Sequence, residues 1–199
     1  MVGQKSQQQQ RSTVRIIGGD WRGRKLPVLN AQGLRPTADR IRETLFNWLA
    51  NELPGARCLD LFAGSASLSF EALSRGAAHV TAVDHHAMAV QLMISAAEAL
   101  GTDNLCAVHS SAEQWLQGYM KRQSKAQFDI IFLDPPFQAH LLEKTAIALE
   151  QSKCLAPNAL IYIEQAAGPS LATLPGHWCN YRQKTTGNVS YQLFSVSDG

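Results

Sequence analysis

From Cys58 to Glu164, short apolar runs alternate with helical ones, and this alternation constrains the fold of the 199-residue chain more than any other feature. Cys58 to Leu61, His79 to Val83, Leu105 to Val108, Phe128 to Leu133 and Ala159 to Glu164 read as strands. Helices are expected between them: Leu68 to Arg75 stopped by Gly76, Ala87 to Leu100 stopped by Gly101, Ala112 to Met120, and about Leu141 to Gln151. Phe128 to Leu133 is almost wholly apolar, as befits the centre of a parallel sheet covered on both faces. Repeated β-α units predict an α/β fold with a doubly wound, mostly parallel sheet. The last two strand-like runs, Trp178 to Lys184 and Val189 to Val196, are joined by Thr-Thr-Gly-Asn. They predict a C-terminal antiparallel hairpin that brings the sheet to seven strands.

The chain divides near residue 55. Residues 1–55 hold nine Lys/Arg and four acids, about +5, whereas the remainder is about −3, within a total of +2. A basic extension on a mildly acidic body suggests a polyanion partner for the extension; a solvated basic surface is the alternative. Residues 1–13 read as a disordered, Gln-rich tail with no secretory signal. Val14 to Ile17 and Lys25 to Val28 are strand-like, with Gly18-Gly19-Asp20 and Gly23 supplying turns between them. A helix follows, with Thr37 as its cap and Ile41, Leu45, Trp48 and Leu49 on one face, ending at Pro54-Gly55. No apolar run approaches the ~20 residues that a membrane helix needs. Cys58, Cys106, Cys154 and Cys179 form no C-x-x-C pair, so reduced thiols in the cytoplasm are expected.

Three elements carry chemistry. Asp60-Leu61-Phe62-Ala63-Gly64-Ser65 follows the first strand of the repeat; its small residues let a ligand approach the backbone. It lacks both the G-x-G-x-x-G spacing of a dinucleotide fold and the Gly-Lys-Ser/Thr of a P-loop. Asp60 can receive a cationic group of a nucleoside-like cofactor; a tight turn with Asp60 as a capping acid is the alternative. Asp84, twenty residues after Gly64, can accept both hydroxyls of a ribose. His85 and His86 follow; adjacent histidines diverge and no third ligand is evident, so no metal is expected. Asp134-Pro135-Pro136-Phe137 comes directly after the apolar strand. Neither proline has an N–H, so the loop offers acceptors and few donors, the complement of an exocyclic amino group. Phe137 can stack on a base.

Asp-Pro-Pro-Phe resembles the D/N-P-P-Y/F signature of amino-group methyltransferases. Residues 14–196 as a whole resemble the bacterial 16S ribosomal RNA guanine-N2 methyltransferases assigned to guanine 966. The specific blocks are Arg15-Ile16-Ile17-Gly18-Gly19, Trp21-Arg22-Gly23-Arg24-Lys25-Leu26, Leu34-Arg35-Pro36-Thr37 and Asp39 through Asn47. The glycine loop and Glu71-Ala72-Leu73-Ser74-Arg75-Gly76 add to them. Ala66 and Ser69 stand where that family usually has Gly, Ser111 where an acid or amide is frequent, and His86 where an acid is usual.

The resemblance implies a Rossmann-like class I methyltransferase with S-adenosyl-L-methionine as cofactor and 16S rRNA, or an assembling small subunit, as partner. Catalysis falls to Asp134, Pro135, Pro136 and Phe137. Cofactor binding falls to Asp60, Phe62, Ala63, Gly64, Ser65, Asp84, His85, Ser111 and Ala112. Arg15, Trp21, Arg22, Arg24, Lys25, Arg35, Thr37, Arg40 and Arg42 are the candidates for RNA contact. Residues 14–55 become the RNA-contact extension and residues 56–199 the cofactor domain of a monomer. The residues leave open methylation of adenine N6 or of a glutamine amide, since each presents a planar NH2. A non-catalytic RNA-binding assembly factor on the same fold is the reading that Ala66 and Ser69 keep open.

Overall fold

The computed structural model describes residues 12–28, 36–122, 127–136, 139–168 and 174–196. Its elements run β1 (Ser12–Arg15), β2 (Lys25–Val28), α1 (Pro36–Trp48), β3 (Arg57–Asp60), α2 (Ser67–Ser74), β4 (His79–Asp84), α3 (Ala87–Leu100) and β5 (Leu105–His109). Then come α4 (Ala112–Lys121), β6 (Phe128–Leu133), α5 (Ala139–Ser152), β7 (Leu155–Ala166), β8 (Trp178–Thr186) and β9 (Val189–Val196). β1 and β2 pair antiparallel as a separate ribbon, and the other seven strands form one sheet in the order β5-β4-β3-β6-β7-β9-β8. The pairings from β5 through β7 are parallel, while β9 runs antiparallel between β7 and β8. The doubly wound sheet and the C-terminal antiparallel hairpin expected from the sequence are both present.

Alternation along the strands divides the core in two. One face carries Cys58, Val80, Ala82, Ile130, Phe132, Leu160 and Tyr162 against side chains of α1, α2 and α3. The other carries Leu59, Val83, Ile131, Leu133, Ile161 and Ile163 against those of α4 and α5. Ile16 and Leu26 of the β1-β2 ribbon are buried in the first core, so the basic extension packs on the α1-α2-α3 face.

Several boundaries differ from the sequence reading. β1 begins at Ser12, so Ser12 and Thr13 belong to the ribbon and not to the tail; residues 1–11 lie outside the described residues. Thr37 is not the cap of α1. The helix already includes Pro36, whose fixed φ suits a first turn, and Thr37 falls inside it. β7 starts at Leu155, ahead of the expected Ala159. Pro157 and a left-handed Asn158 (φ 59°) interrupt the apolar pattern there, and the ladder with β6 shifts register between Phe128 and Ile130. Thr185 and Thr186 belong to β8, leaving Gly187-Asn188 as the turn, with Gly187 at φ 60°.

The extension is fastened by one buried carboxylate. Glu71 of α2 is 0% exposed, and it accepts hydrogen bonds from Ile17 N (2.7 Å), Gly18 N (2.8 Å) and Arg75 Nε (2.7 Å). Ile17 and Gly18 turn toward it, which ends β1 before them. Ser74 adds a second clamp: its hydroxyl donates to Gly18 O (2.6 Å) and accepts from Trp21 N (2.9 Å), while its carbonyl accepts from Asp20 N (2.8 Å). Gly19 sits at φ 73° directly over that carbonyl, and a Cβ there would lie 1.7 Å from Ser74 O. A buried carboxylate with three donors is stable only while all three remain; truncating it leaves donors unpaired in a dry site. Glu71→Ala therefore lowers the unfolding free energy by about 3 kcal/mol, read as a lower urea midpoint at unchanged slope.

Candidate active site

β4, β3, β6 and β7 lie side by side, and each delivers an acid to the carboxyl end of the sheet. Asp84 ends β4, Asp60 ends β3, Asp134 follows β6 by one residue, and Glu164 lies near the end of β7. Period-two alternation sets all four on the face that carries Val80, Cys58, Phe132 and Tyr162, which is the face of the basic extension.

Asp60 is 1% exposed. Its Oδ2 accepts from the Ser69 hydroxyl (2.7 Å) and its carboxylate from the Phe62 backbone, whereas its Oδ1 is buried with no partner among the described residues. Burial pushes its pKa up to about 7 against these two hydrogen bonds, and the charge of Asp84 adds a little in the same direction. A buried carboxylate oxygen without a donor calls for a cationic or N–H-bearing ligand.

The loop after Asp60 is set by its neighbours. Ala63 N donates to Val83 O (3.0 Å), and Gly64 N to Asp84 Oδ2 (2.8 Å). Ala63 is buried, Phe62 and Ser65 are half-buried, and Gly64 is exposed at φ 54°. Ala66 is fully buried in the left-handed region (φ 55°, ψ 30°) at the start of α2. That conformation costs an L-residue about 1–2 kcal/mol. The buried methyl returns about 0.8 kcal/mol, which is how a position suited to glycine carries alanine.

Asp84 bridges the glycine loop to the next turn, because its Oδ1 accepts from His86 N (2.8 Å) while Oδ2 holds Gly64. Each oxygen keeps a lone pair for a ribose hydroxyl. His85 is exposed, 3.7 Å from Asp84 through Nδ1, and stacks on His86 with ring centroids 3.8 Å apart. Ser111 caps α4 by accepting from Gln114 N (3.2 Å), and Ala112 is buried behind it. The Ser111 hydroxyl oxygen thus serves the helix, and its O–H remains able to donate. Among the described residues no three His, Cys, Asp or Glu side chains cluster as a metal site.

Asp134 is half-buried, Pro135 buried and Pro136 exposed, so the acceptor loop opens outward through Pro136. Phe137, expected to stack on a base, lies outside the described residues. Burial raises the Asp134 pKa well above the carboxylate range, and the charges of Glu164 and Asp60 raise it further. Glu164 was not singled out from the sequence; its place at the end of an apolar strand, like that of the other three acids, was the available signal.

Among the expected RNA contacts, Arg15, Arg22, Arg24, Lys25 and Arg40 are exposed, and Arg24 also donates to Ala99 O (3.0 Å). Trp21 is half-buried, packed edge-on against Phe70 at 6.5 Å. Arg35 lies outside the described residues, as does the side chain of Thr37. Arg42 corrects the sequence reading: it is 6% exposed and donates to Arg15 O (2.9 Å) and Asp39 Oδ1 (2.7 Å). It braces α1 against β1 with its guanidinium largely removed from solvent.

A doubly wound sheet with a terminal antiparallel pair, a small-residue loop after its first parallel strand and an acceptor loop after β6 define a Rossmann-like class I methyltransferase. The chain belongs to the family whose model is described as Conserved hypothetical protein 95, matched over residues 14–195. Ribosomal RNA small subunit methyltransferase D of Escherichia coli (strain K12) is 46% identical over 181 residues, spanning 91% of this chain and 89% of that protein. The protein of the same name from Haemophilus influenzae is 45% identical over 183 residues, 91% of this chain and 93% of that one. The solved structure of yhhF from Escherichia coli matches with a TM-score of 0.83 and 44% identity, over 94% of this chain and all of that one.

Asp60 carries a pH signature. An unfolded Asp ionises near pH 4, the folded one at about 7. Between these values only the folded chain holds the proton, so stability falls as pH rises through the window and levels off above it. Asp60→Asn therefore raises the melting temperature of the ligand-free protein at pH 8 and has little effect at pH 4, checked by scanning calorimetry at both.

Proposed function

We propose that this protein transfers a methyl group from S-adenosyl-L-methionine to the exocyclic N2 of a guanine in 16S ribosomal RNA, of the guanine 966 type. The observation that carries the reading is the acceptor-only Asp134-Pro135 loop set one strand away from Asp60, on the face that bears the basic extension. The relatives named as ribosomal RNA small subunit methyltransferase D support the ribosomal substrate. Residues 14–55 act as the RNA-contact extension and residues 56–199 as the cofactor domain, in a cytoplasmic monomer acting on an assembling small subunit.

When bound, the cofactor supplies an already activated methyl group. Asp60, through its unpartnered Oδ1, would hold a cationic group of the cofactor, and Asp84 would hold its ribose hydroxyls; Phe62, Ala63, Gly64 and Ser65 line the approach. The Asp134 carboxylate and the Pro135 carbonyl accept the two amino hydrogens and fix the nitrogen's direction of attack. Positive charge develops on that nitrogen, and Asp134 stabilises it and takes the departing proton. Flipping the base out of its stack costs a few kcal/mol, and phosphate contacts by Arg15, Arg22, Arg24, Lys25 and Arg40 of the extension offset that cost.

Asp134→Asn cuts the rate of transfer about 10²–10³-fold with cofactor affinity retained. The assay offers labelled cofactor to small subunits lacking the modification and maps the labelled nucleotide by mass spectrometry. Label in DNA or protein, with none at a guanine N2 of 16S RNA, overturns the reading. Replacing Arg22 and Arg24 together by Ala weakens RNA binding and lowers the slope of log affinity against log salt by about two; an unchanged slope removes the extension from the RNA interface.

A further inference from the structure

Glu164 has no part in the motifs that point to methyl transfer, yet the sheet sets it beside the reacting group. Leu133 and Ile163 are the last pair of the parallel β6-β7 ladder, and Asp134 and Glu164 are the next residue of each segment. Both continue the face of Phe132 and Tyr162. On its other side Glu164 pairs with Tyr191 of β9. Glu164 is half-buried, and the hydroxyl of Tyr162, itself 0% exposed, donates to its Oε2 at 2.8 Å. A hydroxyl that donates to a carboxyl oxygen favours the ionised acid and fixes its rotamer.

We infer that Glu164 is a positioning residue for the transfer, a second carboxylate held against Asp134 so that Asp134 receives the proton leaving the methylated nitrogen. The inference rests on the methyltransferase reading above. In the step, the base nitrogen gains a carbon bond and loses one N–H proton; Asp134 changes from carboxylate to carboxylic acid, and Glu164 stays ionised. Two carboxylates in one poorly solvated site repel, and the pair with one proton and one charge is its favoured state. Above the acid limb the pair carries two charges, and transfer of the substrate's proton to Asp134 returns it to the singly protonated state.

The surroundings agree. Asp60 from β3 is the other acid whose charge acts on Asp134. Tyr191 from β9 is fully buried beside the pair. From α1, the facing side chains are Phe46, against Phe132, and Trp48, against Tyr191. From α2, Ser69 is bonded to Asp60, and Arg75, over the Phe46 ring, is held by Glu71. Burial raises both Asp134 and Glu164, and the Tyr162 hydrogen bond opposes the rise at Glu164.

The test compares the wild type with Glu164→Gln and Glu164→Asp. With Glu164→Gln, the acid limb of the kcat profile moves down by about one pH unit and plateau kcat falls several-fold, while KM for RNA is unchanged. Glu164→Asp keeps the charge and restores both. A limb that stays in place with Glu164→Gln, or an Asp variant no better than Gln, overturns the inference. A second readout needs no turnover: the side-chain carboxyl 13C titration of Asp134 moves to lower pH in Glu164→Gln, and that of Glu164 moves down in Asp134→Asn. Absence of both displacements overturns the inference whatever the substrate proves to be. Wild-type protein that fails to label guanine N2 while both displacements occur removes the substrate assignment alone.

Discussion

The structure depends on the Glu71 carboxylate being buried and fully bonded. It lies on α2, an eight-residue helix with seven residues buried, and it reaches two backbone N–H groups of the extension and the Arg75 guanidinium at once. A carboxylate is tolerated in such a place because its donors replace the water it has lost. Without the carboxylate Ile17 and Gly18 would have no acceptor, the turn at Gly19 would lift from the Ser74 carbonyl, and Ile16 and Leu26 would leave the core. The basic charges outside would then hang from a ribbon with no fixed seat.

The carboxyl edge of the sheet is organised by repulsion as much as by attraction. Four acids stand at the ends of four adjacent strands, and each is handled differently. Asp84 is satisfied by two backbone N–H groups. Asp60 is half-satisfied, by Ser69 and Phe62, with one oxygen left bare. Glu164 is steadied by a tyrosine hydroxyl. Asp134 sits between Asp60 and Glu164, subject to both charges, where neither adjacent proline has an N–H to offer it. Differences in bonding, more than in depth, separate structural acids from those kept for a ligand.

Most of the architecture could be read from periodicity, because central parallel strands are apolar and their helices are amphipathic. The start of β7 could not. Its first pairing, Leu155 with Phe128, is long-range, and Pro157 hides it. The acids that end β3 and β4 and the one that follows β6 are legible because a loop of unusual composition follows each. Glu164 occupies the same position on its strand but is followed by ordinary residues. The clamp on the extension left no mark, since a backbone N–H donating to Glu71 looks like any other backbone group. Arg42 was misjudged for a related reason: net charge counts a guanidinium without saying which way it points, and this one is bonded inward. The cap that the Ser111 hydroxyl makes on α4 is likewise not marked by composition.

Ser69 and Ser74 sit near opposite ends of α2, one bonded to Asp60 and the other to the extension. Five residues of α-helix separate them, about 7.5 Å along the axis. The helix is therefore a ruler. It fixes the offset between the basic extension and the acid Asp60 at the carboxyl edge of the sheet, and a change of helix length in this stretch would slide one against the other.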